Sequence, residues 1–171
     1  MTELSLSAGK CVANTAYGGR QQSSRERLKQ QTRQDIAEFR ERMLRLADSL
    51  AGWLDGYDVD ITLREISPVN TAGAYTIPGI VLCHRRNWAG FTPQALYSEK
   101  GGVQLKGEVC LAVDNPGRRP RTEKYMLGMA GHPLSAADWI IYKDSRTPGK
   151  GKELTRKRLL AAVESLFDDT E

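Results

Sequence analysis

The sequence predicts an α+β protein: a long N-terminal amphipathic helix, a mostly antiparallel sheet of four or five strands, and two C-terminal helices packed on one sheet face. Three observations predict it. Apolar residues from Ile36 to Trp53 recur at alternating intervals of three and four, the period of a helix with one buried stripe. After Asp55-Gly56 the period falls to two, and it does so again, more cleanly, from Val103 to Val113. A capping pattern at Ser135 and an apolar stripe after Glu153 then return the chain to helix. Strands that follow one another without long intervening helices argue against βαβ units.

Residues 1–22 are rich in Ser, Thr, Gly, Ala and Gln without an apolar period, and are expected to form a flexible arm before a single domain, 23–171. Ser23-Ser24-Arg25-Glu26 fits a capping box, in which Ser23 accepts from a free backbone N–H and Glu26 returns the bond. The helix that follows runs to about Leu54, with Ile36, Phe39, Met43, Leu46, Leu50 and Trp53 on one stripe and Arg40, Glu41, Arg45 and Asp48 opposite. The same spacing is a heptad seam, but it lasts under three heptads, so packing on the protein's own sheet is favoured over a coiled coil.

Val59, Ile61 and Leu63 alternate with polar residues and predict a strand with one wet face. Ile80-Val81-Leu82-Cys83 is apolar on both faces and predicts a central strand, with Cys83 and Cys110 as small buried hydrophobes. Thr92-Pro93 reads as N-cap and first helical residue, with Phe91 placed to staple onto Leu96, and so predicts a short helix. The strand Val103–Val113 turns at Asp114-Asn115-Pro116-Gly117 into a return strand between Arg121 and Ala130. Ser135-Ala136-Ala137-Asp138, with Leu134 facing Trp139, predicts a helix to about Tyr142. Lys143 to Lys152 is a polar loop, and the last helix spans about Glu153 to Phe167.

Composition narrows the chemistry. The chain has 171 residues with three widely spaced cysteines, no apolar run long enough to cross a bilayer and no apolar h-region at the start. A cytoplasmic protein with reduced thiols is expected. No P-loop, GxGxxG, GxSxG or HExxH pattern occurs, so no cofactor is implied. A zinc site could only be assembled from Cys83, His84, Cys110 and His132, which lack the paired spacing that holds two ligands on one turn, and no metal is expected. For an enzyme, the candidate groups are His84, Asp114, Glu123 and His132, provided they converge; a non-enzymatic role is favoured.

The net charge of +4 is unremarkable, but its distribution is not. Residues 115–158 hold eleven Lys or Arg against four acids, while the remainder holds fourteen bases and seventeen acids. This is the footprint of a phosphate-binding surface. It points to a small module that binds nucleic acid, or sits in a nucleoprotein assembly, through two basic loops: Arg118, Arg119 and Arg121, continuing to Lys124; and Arg146, Lys150 and Lys152, continuing to Arg156, Lys157 and Arg158. Tyr125 and Tyr142 are near enough to stack on exposed bases. That reading requires the loops after Asp114 and after Tyr142 to lie together. The alternative is a protein-interaction, inhibitor or self-assembling module whose first helix offers Phe39, Met43 and Trp53 to a partner or to a second copy as a homodimer.

Overall fold

The computed structural model describes residues 4–68, 75–100, 102–130, 138–143 and 151–168. Its elements are helix α1 (Leu4–Trp53), strands β1 (Asp60–Ile66), β2 (Ile77–His84), β3 (Asn87–Lys100), β4 (Val103–Asp114), β5 (Thr122–Met129), β6 (Trp139–Tyr142) and β7 (Lys152–Glu153), helix α2 (Arg156–Ala162) and a 3-10 turn, Glu164–Phe167. Contacts divide the chain into two units, residues 1–37 and 38–171.

In the first unit the helix begins at Leu4 rather than at Ser23, so the expected capping box lies inside it. No proline occurs before Pro68, and helix propagation, once started, tolerates the weak formers and glycines of this stretch at about 1 kcal/mol or less each. Thr32 donates its hydroxyl proton to Leu28 O at 3.0 Å and Gln31 bonds the Asp35 carboxylate at 3.1 Å, both one turn apart.

In the second unit the end of α1 packs on an antiparallel sheet whose seven strands lie in sequence order. From Phe39 to Leu50 the stripe read from the sequence is core. Phe39 and Met43 are fully buried, as is Leu50, and Leu46 nearly so. Phe39 meets Trp139 of β6 with ring centroids 6.1 Å apart. Phe39 and Met43 are therefore not available to a partner in the folded unit, and Trp53, at the helix end, is only partly exposed. Arg42 is buried too. Its guanidinium donates to Ala130 O (3.1 Å), Asp138 O (2.7 Å) and Glu38 Oε1 (2.8 Å), which ties the helix to the ends of β5 and β6.

The core face of the sheet follows from register. Ile80, Phe91 and Leu111 pair in one row across β2, β3 and β4, and Leu82, Ala89 and Val113 in the next. Pro93, Val109, Leu127 and Ile141 continue it across β3 to β6. All of these are buried. The alternation expected between Val103 and Val113 holds from Val109 onward, with Val109, Leu111 and Val113 inward, whereas Glu108, of the other parity, is buried beside the register slip opposite Ala95. Cys83 is exposed rather than buried, because it has the parity opposite to Ile80, Leu82 and His84. Cys110 is half-buried.

Two expected helices are strands, and with the short β7 they raise the strand count from four or five to seven among the described residues. Phe91–Leu96 belongs to β3, a segment supplied with Trp88, Phe91, Thr92 and Tyr97, all good strand residues. Pro93 is accommodated where the β3–β4 register slips, between Pro93 and Ala95, and beyond Phe91, the last β3 residue paired with β2. A missing N–H is least harmful at such an interruption. Trp139-Ile140-Ile141-Tyr142 is β6, where aromatic and β-branched side chains pair with β5; Ser135, the proposed cap, lies outside the described residues. The expected last helix is divided into β7, α2 and the 3-10 turn. Thr155 caps α2 by accepting from Arg158 N–H at 3.2 Å. Among the described residues no helix is long and apolar enough to cross a membrane.

Candidate nucleic-acid interface

Register directs the described ends of the second basic loop, Lys143 and Lys152, toward the end of the sheet that carries the tip of the β4–β5 hairpin. Asp114 and Thr122 pair across the β4–β5 hairpin, so residues 115–121 form its tip. Strand β6 runs antiparallel to β5 with Tyr142 opposite Met126, so Lys143 continues toward that same tip. Lys152 returns opposite Ile141. Arg146 and Lys150 lie outside the described residues, as does His132.

The arginines of the hairpin tip are engaged in holding it. Arg121 grips Asp114 through Nε and Nη2 at 3.0–3.3 Å, and Thr122 Oγ1 donates to the same carboxylate at 2.9 Å. These bonds, the guanidinium first, hold the Asp114 carboxyl below its ordinary value despite burial. Arg118 pairs with Asp168. Arg119 donates to two carbonyls of its own turn, Pro116 O and Arg118 O. The tip is locked onto the C-terminal turn as well: Asn115 Nδ2 donates to Ser165 O at 2.6 Å and Asn87 Nδ2 to Leu166 O at 2.9 Å. Phosphate binding by Arg118 or Arg121 would compete with an internal carboxylate.

A second group of cations is differently placed. Lys124, Lys143, Lys152, Arg156 and Lys157 are exposed and make no ion pair among the described residues. Arg158 donates to the Glu153 carbonyl at 2.7 Å and makes no ion pair among the described residues. Lys143, Lys152 and Arg158, from the end of β6, from β7 and from α2, line one open cleft of about 350 Å3 with Tyr125, Ile141, Tyr142, Ala161 and Ala162. The α2 alanines keep that wall low, and Tyr125 supplies an aromatic surface half open to solvent.

The two phenols are held neutral. Burial, reinforced by the Glu108 carboxylate, pushes Tyr142 up to about 12. Burial likewise raises Tyr125, followed by Glu123, which accepts from its hydroxyl at 3.2 Å, and by Glu164. Neither phenol is an available base at neutral pH. The described groups among the catalytic candidates, His84, Asp114 and Glu123, do not gather either. His84 holds Asp58 O through Nδ1 at 2.6 Å and packs edge-on against Phe167, 5.3 Å away. Strand β3 lies between it and Asp114, and Asp114 and Glu123 are engaged as described. Among the described residues no three His, Cys, Asp or Glu side chains are grouped so as to hold a metal ion.

Comparison of the chain with protein families, with curated proteins and with solved structures finds no match in any of the three. Of the residues singled out from sequence, Lys152 and Arg158 therefore come together with Tyr125 and Tyr142, while Arg118 and Arg121 belong to a structural clasp. Lys143 was counted in the basic stretch but not assigned to the interface. Its signal was position: it is the first polar residue after the apolar run Trp139–Tyr142.

Proposed function

We propose that this chain is a non-enzymatic nucleic-acid-binding module, and that its contact surface is the cleft bounded by Lys143, Lys152 and Arg158 rather than the tip of the β4–β5 hairpin. One observation carries the reading: three cations that make no ion pair among the described residues, delivered by three separate elements, line a single depression together with an aromatic side chain. Surface cations in an ordinary solvated face are interspersed with acids. Of the acids nearby, Glu123 accepts from the Tyr125 hydroxyl, and Glu108 and Glu164 act on the two tyrosines; among the described residues none of them forms an ion pair with Lys143, Lys152 or Arg158. Phosphates displace counterions from such a cluster, and Tyr125 offers a surface on which a base can stack.

A salt titration tests the proposal. Fluorescence anisotropy with mixed duplex DNA, single-stranded DNA and structured RNA should give binding that weakens linearly in log salt, with a slope of about −0.9 per phosphate neutralised on duplex DNA. No binding to any of the three at low salt would remove the nucleic-acid reading.

A further inference from the structure

Strand β1 is one edge of the seven-stranded sheet, and among the described residues only β2 pairs with it. The opposite edge, β7, has two residues and offers little to a pairing strand. β1 has seven, all exposed or half-buried. Natural edges of that length are usually guarded by charge, since unpaired N–H and C=O groups recruit further strands. The charges here are arranged differently. Asp60 and Arg64 stand two residues to either side of Thr62, opposite in sign, and neither makes an ion pair among the described residues. Glu65, next along, is already held by Arg40 at 2.8–2.9 Å.

We propose that β1 pairs antiparallel with β1 of a second copy of this chain, about a two-fold axis through Thr62. In that register each Asp60 lies opposite the partner copy's Arg64, and each Arg64 opposite its Asp60. The alternation of strand side chains puts both ion pairs on one face. On the other face Ile61 lies opposite Leu63 of the second copy, twice. These are the residues whose β2 partners, Leu82 and Ile80, are buried, so the pairing prolongs the apolar rows of the core across the junction. It also covers Leu63, which is 51% exposed in the single chain. A shift of one residue in the axis, to Leu63, would set Asp60 against Ile66 and Arg64 against Thr62 and lose both ion pairs. Charge complementarity thus selects one register.

The test is a charge swap read by sedimentation equilibrium on the full chain. The parent should dimerise with rising concentration. Arg64→Asp places two like-charge pairs across the junction and should raise the dissociation constant by about tenfold or more. Asp60→Arg combined with Arg64→Asp restores opposite charges and should restore the dimer. Circular dichroism of each variant establishes that the fold is kept, as expected for exposed positions. A parent that stays monomeric at the highest concentration reached, an Arg64→Asp protein that dimerises as the parent does, or a swap that fails to recover association would each overturn the proposal.

Discussion

Replacing Arg42 by Met should remove about 3–5 kcal/mol of stability, the range for breaking a buried charged network by deleting one member. The figure follows from what is left behind. Met matches the length of the stem and stays apolar, so little packing is lost. Three bonds disappear, to Ala130 O, Asp138 O and Glu38 Oε1. Asp138 O keeps the Ala130 N–H at 3.1 Å, and Glu38 keeps Lys106 at 2.6 Å. The carbonyl of Ala130, which is buried, loses its guanidinium donor and bears most of the cost of desolvation. Arg42→Lys retains the charge but cannot reach two carbonyls and a carboxylate in one plane, and should recover only part of the loss. Urea unfolding followed by circular dichroism measures both variants. Against a typical total of about 5–15 kcal/mol, the Met variant should have a markedly lower midpoint. A loss under about 1 kcal/mol would refute the claim that this guanidinium docks α1 onto β5 and β6.

Gly107→Ala should cost about 1–2 kcal/mol, because φ is +67° and a Cβ would meet Met129 side-chain atoms at 2.7–3.1 Å; thermal unfolding reads the loss. Thr155→Ala should cost about 1 kcal/mol by orphaning the Arg158 N–H, measured in the same way. The Asp114 carboxyl is lowered by Arg121, so the stability it contributes is present above the ordinary value of 3.8 and is lost as pH falls below it toward the lowered one. Asp114→Asn should lower the urea midpoint at pH 6 and flatten that acid limb. Arg118→Ala with Arg121→Ala should lower the melting temperature, since both side chains bind internal carboxylates, whereas Lys143→Ala with Lys152→Ala should leave it unchanged.

The parts of the fold legible in the sequence were those where one periodicity had no competitor. The stripe from Phe39 to Leu50 and the alternation from Val109 to Val113 are set by burial on a single face, and both appear as expected. The hairpin at Asp114–Gly117 also holds, because Asn115 and Gly117 supply the turn: Gly117 N–H donates to Asn115 Oδ1 at 2.9 Å. The misread segments were those where local helix signals met a strand partner. Thr92-Pro93 imitates a helix start, and only the register slip beside Ala95 shows how a proline fits there. Trp139–Tyr142 is too short for any period to be diagnostic, and its strand state rests on pairing with β5, a contact that no local pattern announces. Charge position along the chain was legible, but charge pairing was not. Arg118 pairs with Asp168, fifty residues further along the chain, and no local pattern announces that contact.

The most direct test of the cleft is the affinity of the Lys143→Ala, Lys152→Ala, Arg158→Ala protein for nucleic acid, measured beside the parent at about 0.1 M salt with the fold checked by circular dichroism. Three lost phosphate contacts should weaken binding on the order of a hundredfold and flatten the salt slope by about two to three. Affinity and slope equal to the parent's would contradict the assignment of nucleic-acid binding to this cleft.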